Sequence, residues 1–445
     1  MPNEAQKQVQ VAILGGGITG SAIFYTLCHY SNLKSIALIE KHAQIGHVNS
    51  RGDNNSQTLH FGDIETNYSL EKAKKTKAAS ELVVKLLKNL GEKAKDIFAI
   101  RHKMALAVGQ AETEQLRARY QEFLPLFPEL KLYNREQLAA VEPEIVKGRP
   151  VDEELLAFYS DQGYVVDFGK LSQVLIKEAK QAKPQAEILL NTEVITIKKE
   201  AKHFIITTNT GTISADTIVV AMCAHSLMFA KQLDYGHHLG ILPVGGNFFT
   251  AQRKVLNGKV YTMQSGKLPF AAVHGDPVLG NETHSRFGPT STIMPLLERR
   301  QLKTFFEFIK SSANTPRTFI ALLKVIFERT LFPFLWQSLV YELPYFGERS
   351  FSRLAKKIVP TLTDKDLKNG KSKAGIRPQL IDVKTGKLLM GETEIVGDKI
   401  LFQITPSPGA TSCMANARDT AKKIAGFFGD ANMFDEAKFK TDFEQ

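Results

Sequence analysis

Residues Val11 to Gly20 read VAILGGGITG, a short apolar run followed by Gly15-x-Gly17-x-x-Gly20, and Glu40 closes a second apolar run, IALIE. Each of these positions has a chemical reason. Gly15 allows a strand to turn tightly, Gly17 lets a pyrophosphate approach the backbone, and Gly20 lets the following helix pack closely on the strand. The helix N-terminus, with Ile18 and Thr19, then offers N–H groups and a positive dipole end to an anion. Glu40, with Lys41 beside it, falls where a carboxylate accepts hydrogen bonds from the adenosine ribose hydroxyls, and an acid there disfavours a 2′-phosphate. The spacing predicts a strand–turn–helix–strand unit that holds NAD or FAD rather than NADP.

The elements that position this unit are set by a chain of 445 residues, 43% of them hydrophobic, which suits two or three domains. Cys28, Cys223 and Cys413 are too scattered for a disulfide framework or a CxxC zinc site, so a reducing cytoplasm and no metal are expected. The polar start runs directly into the first strand, leaving no room for a cleavable signal peptide. A net charge of +11 admits nucleic acid, an anionic membrane surface or an anionic substrate. No RNP motif or GXXG loop accompanies it, so no nucleic-acid partner is expected. The lysines between Lys72 and Lys95 share a stretch with Leu82, Val83, Leu86, Leu87 and Leu90 at helical spacing, and read as a solvated helix face.

Further along, a helix over 171–181, a strand (EILLN) and a small β-meander over 194–214 lead into TIVVAM at 217–222, a buried-strand signal. The nucleotide domain therefore resumes after an insertion. Leu242 to Gly288 fits an antiparallel sheet, and Gln301 to Glu342 a helical stretch. The most apolar part, 318–343, is interrupted by Lys324, Glu328, Arg329 and Pro333, short of the roughly 20 apolar residues of a membrane span. It reads as a buried helix pair or an interfacial helix. A last strand at 400–405, Gly409 and a helix over 411–428 close the chain. The expected class is α/β, a Rossmann-like FAD-binding domain (1–62, 160–230, 370–445) with a discontinuous α+β substrate domain (63–159, 231–369). The latter should contain a mixed or antiparallel sheet and a helical segment at 301–343, a candidate for facing a membrane.

Four stretches sharpen the fingerprint: NSQTLHFG at 55–62, VDFGKL at 166–171, the series LPVGGNFF, KVY, AAVHGDPVLG and RFGPT between 242 and 290, and AGIRPQ at 374–379 with PSPGAT at 406–411. Together they resemble malate:quinone oxidoreductases, with an affinity in NSQTLHFG and AGIRPQ to the L-2-hydroxyglutarate dehydrogenase branch of the same FAD-dependent oxidoreductases. Two departures stand out. Cys223 occupies a position where such flavoproteins usually have glycine, and NNSQTLH replaces NNAGTGH.

The resemblance implies FAD, a small dicarboxylic 2-hydroxy acid substrate, and a membrane quinone as electron acceptor. It also implies a peripheral location at the inner face of the cell membrane. Oxidising a 2-hydroxy acid needs a base for the hydroxyl proton while the C2 hydride leaves, and cations for the carboxylates. On that basis His274 is the expected base and His60 an orienting or flavin contact. Arg377 is the expected carboxylate clamp, Arg286 a second cation, and Tyr261 a hydrogen-bond partner of substrate. Gly409, Ala410 and Thr411 are expected to present N–H groups to the isoalloxazine O2 and N1. Val194 should meet the adenine, and Asn55 and Ser56 the pyrophosphate or flavin edge. Malate and L-2-hydroxyglutarate differ by one methylene and stay open as substrates. A flavoprotein acting on RNA and a nonenzymatic flavin-binding protein are the alternatives from other classes.

Overall fold

β1 (Lys7–Leu14) runs into α1 (Ile18–Tyr30), which returns the chain to β2 (Ile36–Ile39). β1 pairs in parallel with β2 on one side, Val11 opposite Ile36, and with Gly211–Val220 on the other, Val11 opposite Thr217. Its residues Val11 to Leu14 are wholly buried because helices cover both faces of the sheet, as a parallel sheet requires. α1 and the helices Phe168–Ala182 and Cys413–Phe428 pack on one face, and His225–Gln232 on the other. Beyond Gly211–Val220 come Ile400–Ile404, parallel to it, and Thr393–Gly397 at the edge. Glu187–Leu189 extends β2, and Val194–Lys199 and Phe204–Thr208 form a meander that joins Gly211–Val220.

The second sheet is long and mostly antiparallel. At its centre Leu239–Ala251 lies between Leu367–Asp382 and Asn281–Gly288, and Asn281–Gly288 continues to His274–Val278 and Lys259–Thr262. Lys259–Thr262 is parallel to Phe98–Val108, which makes the sheet mixed, and Leu155–Val166 and Lys131–Asn134 complete that side. The chain is therefore α/β, with a Rossmann-like domain and a discontinuous α+β domain carrying a mixed sheet. The boundaries drawn at 160 and 370 fall inside Leu155–Val166 and Leu367–Asp382, strands of the second sheet. The strands of the two sheets are separated between Val166 and Glu187 and again between Leu389 and Thr393, because a strand cannot change sheets midway through its hydrogen-bond ladder.

The computed structural model describes residues 7–264, 273–343, 346–389, 391–406 and 408–445. Ala271 and Ala272 of AAVHGDPVLG and Ser407 of PSPGAT lie outside the described residues. The stretch 301–343 folds as three helices, Thr304–Ser312, Pro316–Ile326 and Leu331–Val340. Among the described residues no helix is long and apolar enough to cross a membrane.

Candidate active site

The turn from β1 into α1 opens a cleft that runs from Gly15 and Gly17 past Glu40 and Val194 to His60, Arg377 and Thr411, with about 1780 Å³ of empty space including its mouth. Gly15 adopts φ +105°, which favours glycine. A Cβ on Gly20 would overlap the Gly15 carbonyl oxygen, so helix and strand meet at a distance that excludes any side chain. The Glu40 carboxylate accepts N–H from Gly16 and from His42, each at 2.8 Å, which fixes it at the end of β2 with lone pairs to spare. Lys41, beside it, pairs with Glu298 across the cleft mouth. Val194 begins its strand and lines the cleft.

Ser50, which sequence reasoning did not single out, accepts the Ile18 N–H at 2.9 Å. One donor of the α1 N-terminus is thus met by a side chain, while Gly17 and Thr19 face the cleft. The glycine cradle, the fixed acid and the length of the cleft fit a dinucleotide.

The loop 49–58 is stapled by its own side chains. Asn55 donates through Nδ2 to the carbonyls of Asn49, Ser50 and Arg51, and its Oδ1 accepts from Gln57 N–H. Its amide, expected to touch the cofactor, is therefore committed to shaping the loop. Ser56 lines the cleft, and its carbonyl accepts from Lys259 at 2.6 Å.

The expected roles at the reactive end are redistributed. His274 is 1% exposed and does not line the cleft; neither ring nitrogen has a hydrogen-bond partner among the described residues, and Nε2 lies 3.8 Å from Asp276 Oδ1. Burial and the Lys259 charge push its imidazole well below the ordinary value, so it is a poor proton acceptor at the substrate. Arg286, 3% exposed, donates to Asp276 at 3.3 Å and to Gln57 at 3.1 Å, so its charge is already answered. Tyr261 also lies behind the wall, its hydroxyl 2.9 Å from Thr58 Oγ1. With Lys259, which donates to Thr58 Oγ1 at 2.8 Å, these residues form a buried polar network under the loop. Burial lowers the Lys259 amine to about 8. The closure of this network onto Gln57 and Thr58 is invisible in sequence because those residues lie about two hundred positions from Lys259, Tyr261 and Arg286.

His60 and Arg377 do line the cleft. His60 Nδ1 is 2.6 Å from Glu65 Oε1, and its main-chain N–H donates to Thr411 Oγ1 at 3.1 Å. Arg377, half-buried, stands opposite Val244 in the strand pairing, and no carboxylate pairs with it among the described residues. Burial lowers its guanidinium from the ordinary value, and the nearby Tyr68 and Tyr261 only partly oppose this. Asn49 Nδ2 ties the Ile376 carbonyl, 2.9 Å away, to Cys223 Sγ at 3.2 Å. Cys223 itself sits at φ +54°, which accounts for the usual glycine at this position.

The 406–411 turn differs from expectation in its donors. Gly409 N–H is given to the Pro406 carbonyl at 2.8 Å and Thr411 N–H to the Pro408 carbonyl at 2.7 Å, and the helix begins only at Cys413. Of the three N–H groups expected to face a flavin, that leaves Ala410 with no acceptor among the described residues, and Pro406, Pro408, Gly409, Ala410 and Thr411 line the cleft.

Solved structures share this architecture. Glycine oxidase from Geobacillus kaustophilus superposes with a TM-score of 0.66 at 18% identity, covering 98% of both chains. L-α-glycerophosphate oxidase from Mycoplasma pneumoniae, solved with FAD bound, gives 0.67 at 19% identity over 94% of this chain and 95% of that one. Fold and cleft together define an α/β architecture of two sheets with a cleft at the strand-to-helix turn. The sequence model of malate:quinone oxidoreductases matches residues 7–424. A probable malate:quinone oxidoreductase of Campylobacter jejuni is 39% identical, covering 98% of this chain and 99% of its own, and one of Helicobacter pylori strain J99 is 36% identical over 98% of each. The chain belongs to the malate:quinone oxidoreductase family.

Proposed function

We propose that this protein binds FAD in the cleft and oxidises (S)-malate to oxaloacetate, delivering the electrons to a membrane quinone. The observation that carries the reading is Arg377, a desolvated guanidinium facing the cleft with no carboxylate partner among the described residues, on the same cleft as His60. A buried cation without a counter-charge is costly, and a substrate carboxylate is the natural partner for its planar fork. Gly15, Gly17, Gly20 and Glu40 would hold the AMP half of FAD, and the 406–411 turn with Thr411 would flank its ring. FAD supplies the two-electron acceptor for the hydride from C2.

The protein's own groups then do the rest. Arg377 fixes one carboxylate and thereby the face that C2 presents. His60 takes the hydroxyl proton as the hydride leaves, so one proton and one hydride depart and a ketone forms. This assigns the base to His60 in place of His274.

For the quinone, the helices between 304 and 340 supply a docking face: Phe306, Phe327 and Trp336 are exposed at 68%, 63% and 64%. Arg317, Lys324 and Arg329 lie among them, the pattern of an interfacial rather than a spanning segment.

The test uses the purified FAD-loaded protein under anaerobic conditions. Malate should bleach the flavin absorbance, and a water-soluble quinone analogue should restore it. A flavin that stays oxidised in malate but bleaches in L-2-hydroxyglutarate would transfer the reading to the longer acid, and no bleaching with either would end it.

A further inference from the structure

We propose that Glu65 is the positioning residue for His60, holding the ring with its hydrogen on Nδ1 and its Nε2 lone pair free for the substrate hydroxyl. This rests on the reading that His60 is the base. Glu65 is 3% exposed, its Oε1 is 2.6 Å from His60 Nδ1, and its Oε2 has no partner among the described residues. An ionised carboxylate only accepts, so the hydrogen of that contact must belong to the imidazole, and the opposite nitrogen is the basic one.

The local fold enforces the pair. In His60-Phe61-Gly62-Asp63-Ile64-Glu65, Gly62 adopts φ +83°, and a Cβ there would lie 2.8 Å from the Ala73 carbonyl oxygen. This tight reversal folds Glu65 back beneath His60, while the bond from His60 N–H to Thr411 fixes the other side. Burial pushes the Glu65 carboxyl up, but the hydrogen bond and charge of His60, with the charge of Lys103, hold it below its ordinary value. Lys103, from the strand Phe98–Val108, is itself 2.7 Å from Asp63. His274 lies behind the loop; among the described residues Glu65 and His274 act electrostatically on His60, and Lys103 acts on Glu65.

The experiment measures anaerobic flavin reduction by malate against pH for wild type, Glu65→Gln and His60→Gln. Histidine-selective 15N NMR, with the His60 signal assigned from His60→Gln, reads the tautomer. Glu65→Gln is expected to slow reduction about 10²-fold and to blur the Nδ1–H tautomer signature, with FAD content and KM near wild type. A wild-type rate and an unchanged Nδ1–H signature in Glu65→Gln, alongside a slow His60→Gln, overturn the role of Glu65. A wild-type rate in His60→Gln overturns the underlying base assignment. If Glu65→Gln does not retain FAD, Glu65→Asp is read in its place. It keeps the charge but widens the contact, and is expected to slow reduction about 10-fold, an unchanged rate overturning the proposal.

Discussion

Replacing Arg377 with methionine separates a substrate clamp from a structural arginine. In a bidentate pair with a carboxylate, two charge-assisted hydrogen bonds at about 1.5–3 kcal/mol each are lost, about 3–6 kcal/mol in all. At 1.4 kcal/mol per factor of ten, kcat/KM for malate should fall about 10²- to 10⁴-fold. Arg377→Lys keeps the charge but not the fork and should lose about 10- to 100-fold. The effect on folding should have the opposite sign. The guanidinium is desolvated without a counter-charge among the described residues, so its removal relieves a burial cost instead of breaking an ion pair. The melting temperature of Arg377→Met without substrate should therefore equal or exceed that of wild type. Steady-state kinetics with malate and thermal melts of the same preparations read both quantities. A variant that melts several degrees lower while keeping its KM would show that Arg377 supports the fold and not the substrate.

Gly20→Ala should destabilise the protein by about 1–3 kcal/mol and impair FAD retention, because its Cβ overlaps the Gly15 carbonyl; a melt and a flavin-to-protein absorbance ratio check this. Burial alone would raise the Glu298 carboxyl, but His42 and Lys41 hold it down at about 2. Its contribution to stability is thus complete above the unfolded value near 4.5 and lost as pH falls toward 2, so Glu298→Gln should flatten the acid side of a stability–pH curve. Phe306→Glu combined with Trp336→Glu should weaken cosedimentation with anionic liposomes while leaving flavin bleaching by malate intact; unchanged cosedimentation would remove the helices as the docking face.

The sequence by itself determined the βαβ unit and the return of the chain to its nucleotide sheet, and it left the second sheet as mixed or antiparallel, which the parallel pairing of Lys259–Thr262 with Phe98–Val108 decided. Those features rest on local rules: glycines where φ or close approach demands them, apolar runs where both sheet faces are covered, and Glu40 at a strand end. The reactive end was legible only as a set of segments. Tertiary structure decided which of two histidines faces the cleft, because burial and the partners that answer a charge depend on neighbours far away in the chain. His274 lies among Lys259, Asp276 and Arg286, where desolvation strips its basicity, whereas His60 opens onto the cleft above Glu65. Likewise Arg286 and Arg377 are alike as residues, yet Asp276 answers the first and no carboxylate among the described residues answers the second. The fingerprint of Gly15, Gly17, Gly20 and Glu40 could be read locally because each position answers a requirement of the turn, the close helix packing or the strand end, whereas the charge of a histidine or arginine side chain is set by packing.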